Sequence, residues 1–319
     1  MAFSIETAKK RAEMMRCIRA FFREKNVLEV ETPVMSRSTI TDCHIDQFSA
    51  DYFPCGTGGG EAAETRYLQP SPELQMKRLL AEGFPDIYQI CKSFRNGEYG
   101  RFHNPEFTML EWYRIGFDMY RMIDEVELVV NRLTGGVTCT RISYQDLFLR
   151  LTGIDPLPAT VDTVTEYLRR TTDSPVPAFD DRADAFMYVM SMQVEPQLPK
   201  DEVTVVYHYP QDQGVLAVAE PDNPSVARRF EIYYRGMELA NGSEELTDAD
   251  EYARRLGVEN KRRIKRGKPL YDAAEGFDAS VLNGMSPCSG VAIGLDRLLM
   301  CLTGAESIDT VIGYGWGTC

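Results

Sequence analysis

The residues of this chain with chemistry to offer are an arginine between two strands, an alternating glutamate and tyrosine, two spaced glutamates and a glycine-bounded strand. Arg95 follows Ser93-Phe94 and precedes Asn96. Arg101, His103 and Asn104 come next, and Phe107-Thr108-Met109-Leu110-Glu111-Trp112-Tyr113 closes the segment. A guanidinium presents two parallel donors to a phosphate, which suits an arginine held where negative charge develops. Side chains alternate along a strand, so Glu111 and Tyr113 share one face, as substrate-facing residues must. A hairpin with a merely charged loop leaves that alternation unexplained. Glu231 and Glu238 stand seven positions apart within Phe230–Gly242. One straight strand would turn them to opposite faces, so a bulge or turn near Gly236 must intervene if they act together. The plain reading of the pair is an acidic, solvated edge. Gly290-Val291-Ala292-Ile293-Gly294 then leads into Leu295-Asp296-Arg297-Leu298, a Gly-strand-Gly-helix that is common on its own.

The elements that must position these residues follow from periodicity. Ala8, Met15, Ile18 and Phe22 recur at helical spacing, which predicts an amphipathic helix over Glu6–Glu24. Val27–Glu31 alternates as a strand and stops at Thr32-Pro33. Asp51–Glu64, with Gly56, Gly58, Gly59 and Gly60, reads as a mobile surface loop. Ser71 suits an N-cap, Pro72 the first helical position and Glu73 the first turn of a helix running to about Glu82. Strands are expected over Asp86–Phe94, Glu106–Ile115, Val203–Tyr209, Val215–Ala219, Arg228–Ala240 and Gly290–Ile293. Helices are expected over Met119–Leu133, Ser143–Leu151, Asp248–Arg266 and Gly294–Leu302, and Thr160–Gln193 is helical but broken by Pro175 and Pro177. Strands and helices in separate runs point to an α+β fold, an antiparallel sheet flanked by helices, and no linker divides residues 1–319.

Composition sets the outer limits. With 44% hydrophobic and 26% charged residues the chain reads as a soluble globular protein. No run approaches the eighteen or so apolar residues of a membrane span, and no apolar stretch follows the charged start as in a secretory signal. The eight cysteines are scattered without a C-x-x-C pair, which argues against a zinc site or a disulfide framework and for reduced thiols in the cytoplasm. A net charge of −13 disfavours a protein built to grip nucleic acid. The one dense basic run, Lys261–Lys268, ends a charged helix. Its last turn welcomes cations in any case, and the alternative is a docking patch for an acidic protein.

Taken in order, these segments resemble the signature motifs of class II aminoacyl-tRNA synthetases, and of the lysyl branch in particular. Glu29–Met35 is similar to motif 1, whose proline, Pro33 here, sits at a dimer interface in that family and so implies a homodimer. Ser93–Tyr113 resembles motif 2, and Gly290–Leu298 motif 3. The resemblance implies that Arg95 meets the α-phosphate of ATP as the catalytic residue. Asn96, Gly97, Asn104, Glu238, Leu239 and Gly294 would contact the nucleotide, and Phe107 and Arg297 would lie on either side of adenine. Glu231 and Glu238 would hold Mg²⁺. Ser71, Pro72, Glu73, Glu111, Tyr113, Asn241, Glu245 and Ala292 would form the amino-acid pocket. Within it Glu245 would face a terminal ammonium, and Glu73 and Glu111 the other amino group. A buried ammonium needs such carboxylates.

The first catalytic helix begins almost at Met1, which leaves no room for the anticodon-reading barrel of a lysyl-tRNA synthetase. That truncation resembles the elongation factor P lysyltransferase family. Its members activate a lysine, preferably (R)-β-lysine, as the adenylate and pass it to a lysine of elongation factor P, with no tRNA and no membrane involved. Ser71 and Ala292 replace the usual Ala and Gly of lysyl synthetases, small changes that could reshape the pocket around a displaced amino group. Two positions depart from the pattern. Gly97 stands where a glutamate is usual, with Glu98 beside it, and Ser243 stands where an aromatic ring is usual. A minimal tRNA-charging enzyme and a silent ligand-binding regulator are the alternatives. Retention of Arg95, Glu231, Glu238 and Arg297 speaks against silence.

Overall fold

A computed structural model describes residues 3–37, 39–40, 42–53, 63–270 and 279–319. In chain order the elements open with α1 (Ile5–Glu24), β1 (Leu28–Glu29), β2 (Met35–Ser36), β3 (Ser49–Tyr52), β4 (Glu64–Leu68), α2 (Glu73–Ala81), β5 (Ile87–Phe94) and β6 (Glu106–Ile115). Then come α3 (Met119–Thr134), β7 (Cys139–Ser143), α4 (Tyr144–Thr152), α5 (Val161–Thr171), α6 (Arg182–Val189), β8 (Val203–Tyr207), β9 (Ala219–Glu220), β10 (Asn223–Ala227), β11 (Arg229–Tyr234) and β12 (Met237–Glu244). The chain closes with α7 (Ala249–Lys265), β13 (Cys288–Gly294) and α8 (Leu295–Thr303). Internal packing groups them into two units, Met1–Asp118 with Leu246–Cys319, and Met119–Glu245.

In the first unit β5, β6 and β13 run antiparallel, and β1 joins β5 in parallel. Alternation along β6 sends Leu110 and Trp112 to one face and Glu111 and Tyr113 to the other. Trp112 is fully buried against Phe22 of α1, and Phe22 stacks on Tyr88 of β5 at 4.3 Å between ring centroids. The helix starts where expected because Ser4 caps it, its side chain accepting from Thr7 N at 3.1 Å. It stops at Asn26, which takes a φ of 56° that asparagine tolerates. Asp296 of α8 ties this layer together. One carboxylate oxygen accepts from Arg11 at 2.5 Å and the other from the Thr108 amide at 2.6 Å.

In the second unit β12, β11 and β8 run antiparallel, and β7 joins β8 in parallel. Tyr144, Phe148, Phe186, Val189 and Val206 form its core with Tyr209 and Tyr233. Observed and expected elements differ in particular ways. The strand near Val27 pairs only over Leu28–Glu29, and α2 begins one residue late, with Pro72 at the cap position. Where a strand is expected over Val215–Ala219, Val215 and Leu216 form a turn and strand β9 begins only at Ala219. Cys139–Ser143 is a strand too polar to announce itself. The glycine-rich loop expected within Asp51–Glu64 falls largely outside the described residues, and its described ends belong to β3 and β4.

Candidate active site

In the first unit the β5–β6 hairpin and β13 present one continuous face. Register pairs Glu111 with Gln89 and Ala292, Tyr113 with Ile87 and Gly290, and Met109 with Gly294. Phe107, Glu111, Tyr113, Ala292 and Gly294 therefore look the same way. Glu111 and Tyr113 are almost wholly buried, and the Tyr113 hydroxyl donates to Glu111 Oε1 at 2.7 Å. Gln89, which no sequence pattern singled out, borders Glu111 and accepts from Thr32 at 3.0 Å.

Arg95 sits where the hairpin leaves its ladder. Its amide donates to Pro105 O at 2.9 Å, and its guanidinium lies over the Phe107 ring at 5.2 Å. The Glu98 carboxylate lies 3.7 Å away, and the buried Nε has no hydrogen-bond partner. Most of its donors thus remain available. Gly97 holds a φ of 83°, which any other residue would adopt under strain, so a turn brings Glu98 and not position 97 beside Arg95.

Arg297, at the start of α8, donates through Nε to Phe102 O at 3.1 Å and meets His103 Nε2 at 2.6 Å. Although His103 reaches the surface, desolvation of its ring, and then the charges of Arg297 and Arg95, hold its pKa below the usual 6.5. The neutral ring accepts from Arg297. Asn104 is more engaged than its expected nucleotide role implies. It is buried, its Nδ2 donates to Glu106 O at 2.6 Å, and its Oδ1 accepts from Trp316 N at 2.9 Å. Asn96 donates its amide to Asp46 O at 2.7 Å.

At the start of α2, Ser71 Oγ accepts from Glu73 N at 3.3 Å. The Glu73 carboxylate takes a 2.6 Å hydrogen bond from Lys77, a buried lysine one turn along. Sequence reading missed that pairing. The Phe94 amide donates to Gln69 O at 2.9 Å, which anchors the Ser71-Pro72-Glu73 segment beside the motif 2 hairpin.

In the second unit a hairpin assembles the remaining residues. Arg235 and Gly236 form its turn, both at positive φ, and Tyr233 pairs with Glu238. The register then slips by one residue at Leu239, so that Glu231 pairs with Asn241. Turn and bulge together place Glu231, Tyr233, Glu238 and Asn241 on one face, which fulfils the geometric condition set by the spacing. Glu231 accepts from Tyr209 at 2.6 Å, from Tyr233, from Arg229 and from Asn241 at 3.5 Å. Glu245 is buried, and Ser243 donates to its Oε1 at 3.1 Å. The serine that replaces an expected aromatic ring thus supports the carboxylate expected to face an ammonium. Glu244 is structural, bound twice by Arg228 at 3.0 and 2.9 Å.

The basic run does not form a free patch. Arg263 is fully buried and donates to the carbonyls of Pro269, Asp42 and Ile45 at 2.8, 2.6 and 3.0 Å. Lys268 pairs with Asp46 at 2.8 Å, and Arg266 reaches Cys43 O at 3.3 Å. Cations that looked like a docking surface fasten α7 to the 42–46 segment. Among the described residues no helix is long and apolar enough to cross a membrane.

Comparison with known proteins matches residues 4–316 to the tRNA synthetases class II (D, K and N). The chain belongs to this family. Among its relatives, the elongation factor P–(R)-β-lysine ligase of Yersinia enterocolitica is 44% identical over 97% of this chain and 94% of the relative. Two proteins of that name from Klebsiella pneumoniae strains are each 44% identical over 96% of this chain and 93% of theirs.

Proposed function

We propose that this chain is an ATP-dependent ligase that activates a lysine, preferably (R)-β-lysine, and transfers it to the ε-amino group of one lysine on elongation factor P. The observation that carries this reading is the 44% identity, along 97% of the chain, to a ligase of that name. In the first step a carboxylate oxygen of the amino acid attacks the α-phosphorus of ATP. The bond to the β-phosphate oxygen breaks, pyrophosphate leaves and an aminoacyl-adenylate forms. In the second, the acceptor amine attacks the adenylate carbonyl carbon. AMP leaves, an amide forms and the amine sheds its proton.

Arg95 would support the first step by meeting the α-phosphate where charge develops, and its sparse contacts, one carboxylate at 3.7 Å and one aromatic face, support that role. Phe107 and Arg297 would hold adenine, with neutral His103 fixing Arg297. Glu111, steadied by Tyr113, and Glu245, steadied by Ser243, are the buried carboxylates that would pair with the two ammonium groups of the substrate. Ser71 and Ala292 would set the shape of the pocket between isomers. Mg²⁺ is the divalent ion such phosphate chemistry uses, and it would offset charge on the phosphates. Glu238, half-buried on the hairpin face, would hold it, and the four acceptor directions of Glu231 are taken by protein donors. Leu28, Val34 and Met35 lie exposed around Pro33, which favours a homodimer through motif 1. The chain would act as a single catalytic domain in the cytoplasm.

Pyrophosphate exchange with individual amino acids tests activation. Exchange driven by (R)-β-lysine above all others is expected. Labelled product should then appear on elongation factor P and not on tRNA, and charging of tRNA alone would overturn the acceptor assignment.

A further inference from the structure

The best-connected carboxylate of the hairpin face is Glu231. An ionised carboxylate has about four acceptor directions, and Tyr209, Tyr233, Arg229 and Asn241 take them. Arg229 is fixed in turn. Its Nε donates to Asn241 Oδ1 at 3.2 Å, its Nη1 donates to Gln213 O at 3.1 Å, and its guanidinium lies over the Tyr209 ring at 4.4 Å. Both ends of the Asn241 amide are therefore occupied, the oxygen by Arg229 and the nitrogen by Glu231. That reciprocity fixes which way the amide points. Glu231 is only 8% exposed, whereas Asn241 reaches the surface.

We propose that Glu231 and Arg229 are positioning residues that orient Asn241 toward the amino-acid substrate, and that Glu231 is not a ligand of the divalent ion. This rests on the ligase reading above, in which Asn241 belongs to the amino-acid pocket. A magnesium ion sits about 2.0–2.1 Å from a ligating oxygen and requires near-octahedral geometry. At Glu231 it would have to expel a donor and stand beside the arginine cation.

The test uses the full chain with Glu231→Gln, Arg229→Lys, Asn241→Ala and the double variant Glu231→Gln/Asn241→Ala. Two quantities are read. One is the split between KM for (R)-β-lysine and KM for ATP in pyrophosphate exchange. The other is the number of Mn²⁺ ions bound per chain, by electron paramagnetic resonance with a non-hydrolysable ATP analogue. Glu231→Gln and Arg229→Lys are expected to raise KM for the amino acid roughly tenfold, with KM for ATP moving less than about twofold. Mn²⁺ stoichiometry should stay at the parent value, and the double variant should behave as Asn241→Ala alone. A lost Mn²⁺ equivalent in Glu231→Gln, or additive effects in the double variant, would overturn the assignment. Arg229→Lys decides the matter should Glu231→Gln not fold. A parent chain without lysine-dependent exchange would defeat the ligase reading instead. Mn²⁺ stoichiometry, retained or lost in Glu231→Gln, would still decide the ligand question.

Discussion

Arg95 makes few commitments to the fold around it, with one carboxylate at 3.7 Å and one aromatic face. Arg95→Ala should therefore fold normally, judged by its melting curve. Pyrophosphate exchange should fall by about 10²–10³, the usual cost of one preorganised donor at developing charge. Near-parental exchange would remove Arg95 from the chemistry. His103 has a different liability. Its folded pKa lies below the unfolded value, so the unfolded chain takes up the proton first. The neutral ring's contribution to stability is whole above the unfolded value of about 6.5 and is lost as pH falls from there through the lower folded value. His208, also lowered by desolvation, adds in the same direction. Melting temperatures taken from pH 7.5 down to 5 should thus decline less steeply in His103→Asn than in the parent chain. Parallel slopes would contradict it.

Elements were legible wherever one residue's chemistry agreed with the period around it. Glu106–Ile115 emerges with the bounds its alternation announces, because Trp112 and Glu111 want opposite environments and a strand supplies both. Partners brought in from distant segments were not legible, since no period encodes them. Lys77 on Glu73 is an ordinary helical spacing that gave no sign of pairing a residue proposed for the amino-acid pocket. Trp316 on Asn104 and Asp296 on Arg11 join positions far apart in the chain. Arg263 shows the cost most plainly, because a cation at a helix end usually faces water, yet this one is buried under three carbonyls. Removing it strips those carbonyls of a donor and takes away one of the two cations on Asp46. Arg263→Ala should cost about 3 kcal/mol or more in urea unfolding, as breaking other buried pairs does, with exchange falling alongside stability. Arg254→Ala, which breaks an exposed pair with Glu251, should leave the urea midpoint close to that of the parent. Equal, small losses would return Arg263 to the surface.

At the scale of the whole molecule, the proposed homodimer would cover the exposed apolar residues Leu28, Val34 and Met35 around Pro33. Light scattering at micromolar concentration should give twice the 36.1 kDa chain mass. A monomer mass would detach motif 1 from assembly. The bond from Trp316 N to Asn104 gives this protein a built-in optical probe. Only two tryptophans are present, and Trp112 is sealed in the core, dark to any event at the surface. Trp316 is 53% exposed, rests against Phe48 at 5.7 Å and is tied by its own backbone to the loop expected to receive ATP. Nucleotide binding should therefore shift the red-edge emission of the unlabelled protein. In Trp316→Phe that response should vanish while the blue emission of Trp112 persists. A response of equal size in both proteins would sever the loop from its reporter.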